Sequence, residues 1–337
     1  MKAIAYKTTG PIDREDALQD ITLPKPTAEG RDLLVKVNAV SVNPVDTKVR
    51  QRQEPEEGGW VVLGFDAVGS VEAVGSEVKS FKPGDSVFYA GAINRPGTNS
   101  EYHLVDERIV GHAPTSISNA EAAALPLTAV TAWEMLFDRL DVNRPTAQGA
   151  NTILVIGGAG GVGSIAIQLL RAMTNMTVIA TASRPETRDW VIKCGAHYVI
   201  DHHQSLASEV EKLGLGAPGF VFSTTNTGSH LADIVELIAP QGRFGVIDDP
   251  ENFSASPFKR KAVSLHWELM FTRSLFGTPD MAEQGKVLNQ ISALVDAGKI
   301  RSTVTNVAGK IDAATLRAVH AHIETGSSRG KTVLEGF

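Results

Sequence analysis

Ile153-Leu154-Val155-Ile156 places four large aliphatic residues in a row, with glycines directly after them. A short apolar run without alternation suits a strand buried on both faces, as in a parallel sheet. The pattern recurs at 177–182, 198–200, 219–223, 242–247 and 262–267. Between these runs the apolar spacing is helical over 163–173, 185–194, 205–213 and 229–239. Strand and helix in alternation predict a doubly wound parallel sheet of about six strands.

Before residue 120 the pattern differs. Residues 1–6 and 32–42 read as strands, the second with partial alternation. Asn43-Pro44-Val45-Asp46 is expected to end that strand, since proline cannot continue it, and 50–59 to form an exposed mobile loop. Glycines punctuate 61–75, and Pro83-Gly84-Asp85 is a turn into another strand. Short strands between glycine turns predict a barrel-like fold. Helices follow over 119–125 and 128–139 and again over 281–297, and 331–334 reads as a last strand. The chain is therefore α/β, with a β-rich domain of residues 1–122 and 275–337 around a sheet domain of residues 123–274.

The turn after Ile156 carries the first chemistry. Gly158, Gly160 and Gly163 have the G-x-G-x-x-G spacing, set between a predicted strand and a predicted helix. The first glycine is expected to allow a tight turn, the second a close approach to a diphosphate, and the third close packing of helix on strand. The N–H groups of Gly161, Val162 and Gly163 at the helix start would face that anion. The next strand ends about twenty residues later, where chains that bind NAD usually hold the ribose 2′-hydroxyl with a carboxylate. Here the residues are Ala182-Ser183-Arg184. A hydroxyl and a guanidinium without a repelling carboxylate favour a 2′-phosphate, so NADPH is the expected cofactor, with Arg188 one helical turn further on. Ser223-Thr224 and Val246-Ile247 end the fourth and fifth strands, and their backbones should flank a ribose.

Composition narrows the field. Of 337 residues, 42% are hydrophobic and 21% charged, which is ordinary for a soluble enzyme. A formal net charge of −6 argues against nucleic acid as a partner. Cys194 is the only cysteine, which excludes an intrachain disulfide and a cysteine-rich zinc site. No signal-peptide core and no long apolar run is present, so a cytoplasmic protein with no membrane partner is expected.

Six further pieces occur in a telling order. They are Val42-Asn43-Pro44-Val45-Asp46, Gly64-Phe65-Asp66-Ala67-Val68-Gly69, Pro83-Gly84-Asp85-Ser86-Val87, Ser100-Glu101-Tyr102, Ala123-Ala124-Leu125-Pro126-Leu127-Thr128 and Gly160-Gly161-Val162-Gly163. With them the chain resembles the medium-chain dehydrogenase/reductase superfamily over its whole length, and within it the zinc-free quinone oxidoreductase branch. The resemblance implies a GroES-like catalytic domain carrying a Rossmann domain as an insertion, with a homodimer as the family's habit. The predicted edge strand through Leu265-His266-Trp267 is apolar enough to pair with a second chain.

The resemblance also marks departures. Zinc-dependent members bind their metal through a Cys, a His-Glu pair and a second Cys or Asp. This chain has Asn43 and Phe65-Asp66 at the first of these positions and no thiol near Leu127. No catalytic metal is expected, and His103, His112, His202 and His203 read as structural or exposed. Asn43 is similar to the family's polar contact near the nicotinamide ribose; read from the chain alone it is a turn residue before proline. Thr128 matches a threonine that members place at the nicotinamide, or is a hydroxyl bonded to its own backbone. Lys48 stands where many quinone reductases carry a tyrosine. It could stabilise an enolate or be a surface lysine, which leaves the proton donor open. Asp66 is expected to be structural.

Without a Lewis acid, the carbonyl best served is one that spreads incoming charge by itself, a quinone or an α,β-unsaturated carbonyl. The expected function is hydride transfer from NADPH to such a substrate, in a cleft at the carboxyl edge of the sheet between the domains. Two other readings stand beside it: a metal-independent alcohol or aldehyde reductase, and a non-catalytic NADPH-binding sensor.

Overall fold

A computed structural model of the protein describes residues 1–147, 149–251 and 253–337. Packing divides the chain into Met1–Val130 with Phe271–Phe337, and Thr131–Met270. The change of pattern read at 122/123 thus precedes the change of packing. Ala124 and Leu127 still bond within the first unit, to Thr303 Oγ1 (3.1 Å) and the Asp66 carboxylate (2.7 Å).

The first unit begins with β1 (Lys2–Tyr6), β2 (Gln19–Thr22), β3 (Asp32–Ser41), α1 (Pro44–Arg52), β4 (Val61–Val62), β5 (Asp66–Val74), β6 (Ser86–Tyr89), β7 (Tyr102–Asp106), β8 (Val110–His112), α2 (Asn119–Ala123) and α3 (Pro126–Trp133). Helix α1 corrects the sequence reading, which ended a strand there and placed a loop from residue 50. Pro44 at the first helical position needs no N–H partner, and the Asp46 carboxylate accepts the Asn43 N–H at 2.7 Å. Arg50, expected in an exposed loop, is completely buried. The exposed stretch starts at Gln51.

The second unit holds β9 (Ala150–Ile156), α4 (Gly161–Met173), β10 (Thr177–Thr181), α5 (Pro185–Cys194), β11 (Tyr198–Ile200), α6 (Leu206–Lys212), β12 (Pro218–Ser223), α7 (Thr227–Leu237), β13 (Arg243–Val246) and β14 (Ser264–Trp267). Its strands form one sheet in the order β11-β10-β9-β12-β13-β14, all parallel. This is the predicted six-strand doubly wound, Rossmann-type sheet. Leu154, Ile156, Ile179, Val221, Phe244 and Val246 belong to its buried core, joined by Ile234 and Leu237 of α7. The order reverses between β9 and β12, so loops after neighbouring strands leave toward opposite faces there.

The chain then returns to the first unit with α8 (Thr272–Phe276), α9 (Glu283–Asp296), β15 (Val304–Gly309), α10 (Ala313–Glu324) and β16 (Lys331–Glu335). Strand β16 joins β3 antiparallel, Val333 opposite Ser41, in a seven-stranded sheet, β15-β16-β3-β5-β6-β8 with β7 also on β3. A three-stranded sheet, β2-β1-β4, lies in the same unit. Neither β15 nor α10 stood out in the sequence, because β15 is half polar and mostly accessible. Among the described residues no helix is long and apolar enough to cross a membrane.

Candidate functional site

The turn between β9 and α4 lies at the sheet's reversal point. Gly157, one residue before the motif glycines, carries the left-handed backbone of the tight turn (φ 78°), a turn that the sequence reading gave to Gly158. A Cβ at Gly157 would stand 2.3 Å from Thr224 Oγ1, so the turn needs glycine for both conformation and space. Gly158 instead sits between strands, where a Cβ would meet Ala180 Cβ at 2.9 Å. A Cβ at Gly163 would meet the Gly157 carbonyl oxygen at 2.3 Å, which is the expected close packing of helix on strand.

Gly160 differs. A Cβ there would find only the Gly157 oxygen, at 3.5 Å, so the space beside it is open. Gly160 caps α4 without any side-chain bond, and the N–H groups of the first turn have no partner inside the helix. Open space against a bare helix N-terminus fits a diphosphate.

Neighbouring strands grip this turn. Thr181 Oγ1 of β10 accepts the Gly157 N–H at 3.0 Å, and Thr224 Oγ1 after β12 donates to the Ile156 carbonyl at 2.9 Å. The Trp190 indole on α5 donates to Ser164 Oγ at 2.7 Å, and that hydroxyl donates to the Gly160 carbonyl at 2.6 Å. Sequence reasoning overlooked Thr181 and Trp190, since nothing local distinguishes them.

Ser183 and Arg184 follow β10, as expected. Arg184 is exposed and pairs with Glu186 at 3.2 Å. Arg188 bonds the carbonyls of Ala182 and Val199, both at 3.2 Å, and so ties the end of β10 to that of β11. Ser223 and Thr224 end β12. The Ser223 hydroxyl is fully buried and shared with Thr227 Oγ1 at 2.7 Å, so backbone is what Ser223 can offer a ligand. Val246 and Ile247 end β13, the Ile247 N–H reaching the Ser223 carbonyl at 3.3 Å.

The candidate catalytic residues lie in the first unit, around a buried charge cluster that the sequence did not reveal. Lys331 Nζ donates to the Val42 carbonyl (2.9 Å), to Asn43 Oδ1 and to Asp66 Oδ2 (3.2 Å). Asp66 Oδ2 also accepts from Ser41 Oγ (2.7 Å) and Asn43 Nδ2 (2.8 Å). Asp46 takes the N–H groups of Asn43 (2.7 Å) and Gly64 (3.0 Å). Burial pushes the Asp46 carboxyl up to about 7 and the Lys331 ammonium below its usual value. Both ends of the Asn43 carboxamide are thus engaged, and Asp66 has the structural role expected of it. Lys331 opens a strand of mixed character, and only the fold brings it to residues nearly 300 positions earlier.

Thr128 Oγ1 is buried and bonds the Leu125 carbonyl at 3.1 Å. Lys48 is half-buried on α1. His103 is buried between Tyr89 Oη (3.1 Å) and the Pro96 carbonyl (2.9 Å), which suits a structural imidazole. Among the described residues no three His, Cys, Asp or Glu side chains are placed to hold a metal ion. The chemistry of the cluster agrees. A cation between Asn43 and Asp66 would meet the Lys331 ammonium already bonded to both, so these residues do not fit a zinc site.

Two family profiles match the sequence: "Alcohol dehydrogenase GroES-like domain" over residues 29–122 and "Zinc-binding dehydrogenase" over residues 161–291. A zinc-type alcohol dehydrogenase-like protein of Staphylococcus aureus is 39% identical, over 99% of both chains. A Rhizobium etli protein provisionally named a zinc-dependent alcohol dehydrogenase is 61% identical, with a TM-score of 0.98 over 100% of this chain and 98% of that one. The quinone oxidoreductase of Coxiella burnetii is 25% identical, with a TM-score of 0.80 over 99% of both chains.

Proposed function

Because the chain belongs to the medium-chain dehydrogenase/reductase superfamily, we propose that it is an NADPH-dependent reductase of quinones or α,β-unsaturated carbonyls that works without a metal ion. The observation that carries this reading is Lys331, whose side-chain nitrogen is bonded to Asn43 and Asp66 and so occupies the place a cation between them would need. A cluster that does not fit a zinc ion is best served by a substrate that delocalises the arriving charge, as a quinone or enone does.

When bound, the nicotinamide supplies the hydride. The protein's part is to hold and orient. The first turn of α4 receives the diphosphate beside Gly160, and Ser183 with Arg184 receives the 2′-phosphate at the end of β10. Backbone of Ser223, Thr224, Val246 and Ile247 borders the ribose. Asn43 and Thr128 are the residues that the family resemblance assigns to the nicotinamide. The final proton comes from solvent or from Lys48.

Strand β14 ends the sheet, with Trp267 half exposed and Leu269 beyond it equally so. A second copy pairing there would cover this edge, and a homodimer is the proposed assembly. A monomer by light scattering at micromolar concentration would refute it. The single cysteine, Cys194, is buried, and a chain that can form no intrachain disulfide suits the proposed cytoplasmic setting.

Following NADPH oxidation across quinones, enones and saturated aldehydes tests the reaction. Quinones or enones should turn over at rates a chelator leaves unchanged, and turnover of saturated aldehydes alone would replace this reading with a carbonyl reductase. Arg184→Ala tests the cofactor. KM for NADPH should rise about tenfold or more while that for NADH stays put, and equal changes would refute the phosphate assignment.

A further inference from the structure

Beside the Arg184 turn the second unit carries a group of imidazoles that no role above explains. Strands β10 and β11 are parallel neighbours, Thr181 opposite Ile200, and the Ala182 N–H bonds the Ile200 carbonyl at 3.0 Å. The Arg188 guanidinium fastens the two strand ends together. The turn Ser183-Arg184 is thereby held alongside the turn Asp201-His202-His203.

Asp201 is committed locally: its carboxylate accepts the His203 N–H at 2.9 Å and its carbonyl the Gln204 N–H at 3.1 Å. The rings of His202 and His203 lie 4.7 Å apart. His202 is half-buried, whereas His203 is exposed. Arg184 acts on His202 from the turn after β10, Asp201 and His203 from its own turn, and His230 from α7. His230 in turn feels Asp233 and Asp248. Burial first, then His203, with further contributions from His230 and Arg184, holds the His202 imidazole below its ordinary value, and Asp201 only partly opposes them. Three positive or potentially positive groups thus act on a half-buried imidazole, while Asp201 already accepts a backbone N–H of its own turn and Glu186 pairs with Arg184 at 3.2 Å. The missing complement is an anion.

We propose that His202 is a specificity-determining residue of the adenosine-phosphate subsite, taking up a proton as a 2′-phosphate binds between it and Arg184. This rests on the reading of NADPH as cofactor. A dianion next to the ring stabilises imidazolium, so binding of NADPH draws in a proton at neutral pH and tightens as pH falls toward the free imidazole's range. NADH, with a hydroxyl in place of the phosphate, offers no such drive. The phosphate's own second ionisation, near pH 6, acts with the opposite sign, since a cationic pocket keeps it ionised. The difference between wild type and a His202 variant is therefore the quantity to read.

Titration calorimetry of the full-length protein with NADPH and NADH, in two buffers of different ionisation heat at pH 7, counts the protons. Wild type should take up more protons with NADPH than His202→Gln does, and the two should match with NADH. The variant's affinity for NADPH should fall about fivefold at pH 6.5 and by less at pH 8, with NADH unaffected at both. The His203→Gln variant serves as a control, and should keep most of the wild-type proton uptake. A preference for NADPH with identical proton counts and pH profiles in wild type and His202→Gln overturns the role of His202 and leaves the cofactor reading standing. No preference for NADPH in wild type at any pH overturns the cofactor reading itself. If His202→Gln does not fold, the imidazole titration of wild type by NMR decides. It should move upward with NADPH and not with NADH, and equal titration in the two complexes overturns the inference.

Discussion

The sheet cores of the two units bury different kinds of group. The sheet of the second unit has an aliphatic and aromatic core, and Thr181, Ser223 and Thr224 at the carboxyl ends of its strands shape the glycine turn; the charged side chains this unit buries, Glu134, Arg243 and Glu268, are not part of that core cluster. The first unit encloses charge: Asp46, Asp66, Lys331 and Arg50 are each at most 4% exposed, and His103 and His320 are buried with them. An apolar core gains from every residue buried, whereas a buried charge must find its partner or cost several kcal/mol. The first unit should therefore fail when one partner is removed, and the second when space is taken away.

Removing Lys331 should have the largest effect. Lys331→Met keeps the length of the side chain but leaves the Asp66 carboxylate buried opposite no cation. The expected cost is about 3–5 kcal/mol, read as a fall in the denaturation midpoint. Hydrogen exchange should locate the loss in β3, β5 and β16, with β9, β10 and β12 still protected. Uniform loss of protection in both units would break the comparison, because they would then unfold as one.

The same contrast explains what was legible in the sequence. The sheet and the glycine turn could be read because their signals are local. Strand 177–181 is an apolar run, helix 185–194 lies between a proline at its first position and Gly195 at its end, and the glycines sit within seven residues. Even there, the left-handed residue proved to be Gly157, since spacing does not say which glycine turns the chain. The charge cluster could not be read. Ser41 meets Asp66 because β3 pairs with β5, and Lys331 joins them only because β16 returns to pair with β3. Helix α1 could have been found, however: Asn43-Pro44-Val45-Asp46 has a cap residue, a proline at the first position and an acid at the third. Reading the proline only as the end of a strand hid that start, and with it the burial of Arg50.

Acid should separate the units next. Burial brings His103 down to about 4 and His320 down to about 3, against an ordinary imidazole near 6.5. Both are therefore neutral in the folded protein at pH 7. As pH falls below about 6.5 the unfolded chain binds protons that the folded chain refuses, so each site costs about 1.4 kcal/mol per pH unit until its folded value is reached. The two rings should thus cost the first unit about 3–4 kcal/mol between pH 6.5 and 5, of which Asp46, raised to about 7 and so protonated in the folded chain first, returns about 2 kcal/mol. Neither ring nitrogen of His320 has a hydrogen-bond partner among the described residues. His320→Leu should accordingly be near neutral at pH 7 and remove about half of the imidazole contribution to the acid slope, as denaturant midpoints from pH 5 to 8 would show. An unchanged slope would mean that the acid sensitivity arises elsewhere.

The smallest expected effect is the sharpest test of the second unit, because it sets two glycines of one turn against each other. Gly163→Ala forces a methyl group to within 2.3 Å of the Gly157 carbonyl, a backbone atom that cannot step aside. Helix α4 must shift, at a cost of about 1–3 kcal/mol in stability, and affinity for NADPH falls as the turn moves. Gly160→Ala meets no protein atom closer than 3.5 Å, so its denaturation midpoint should match wild type. Its methyl group instead occupies the open space assigned to the diphosphate, and affinity for NADPH and NADH should fall alike, about tenfold or more. Trp190, bonded through Ser164 to the Gly160 carbonyl, supplies a fluorescence signal for that titration. If Gly160→Ala bound both cofactors as wild type does, the dinucleotide would have to lie elsewhere on the sheet edge. If it lost stability as well as affinity, the space beside Gly160 would be part of the fold and not of the site.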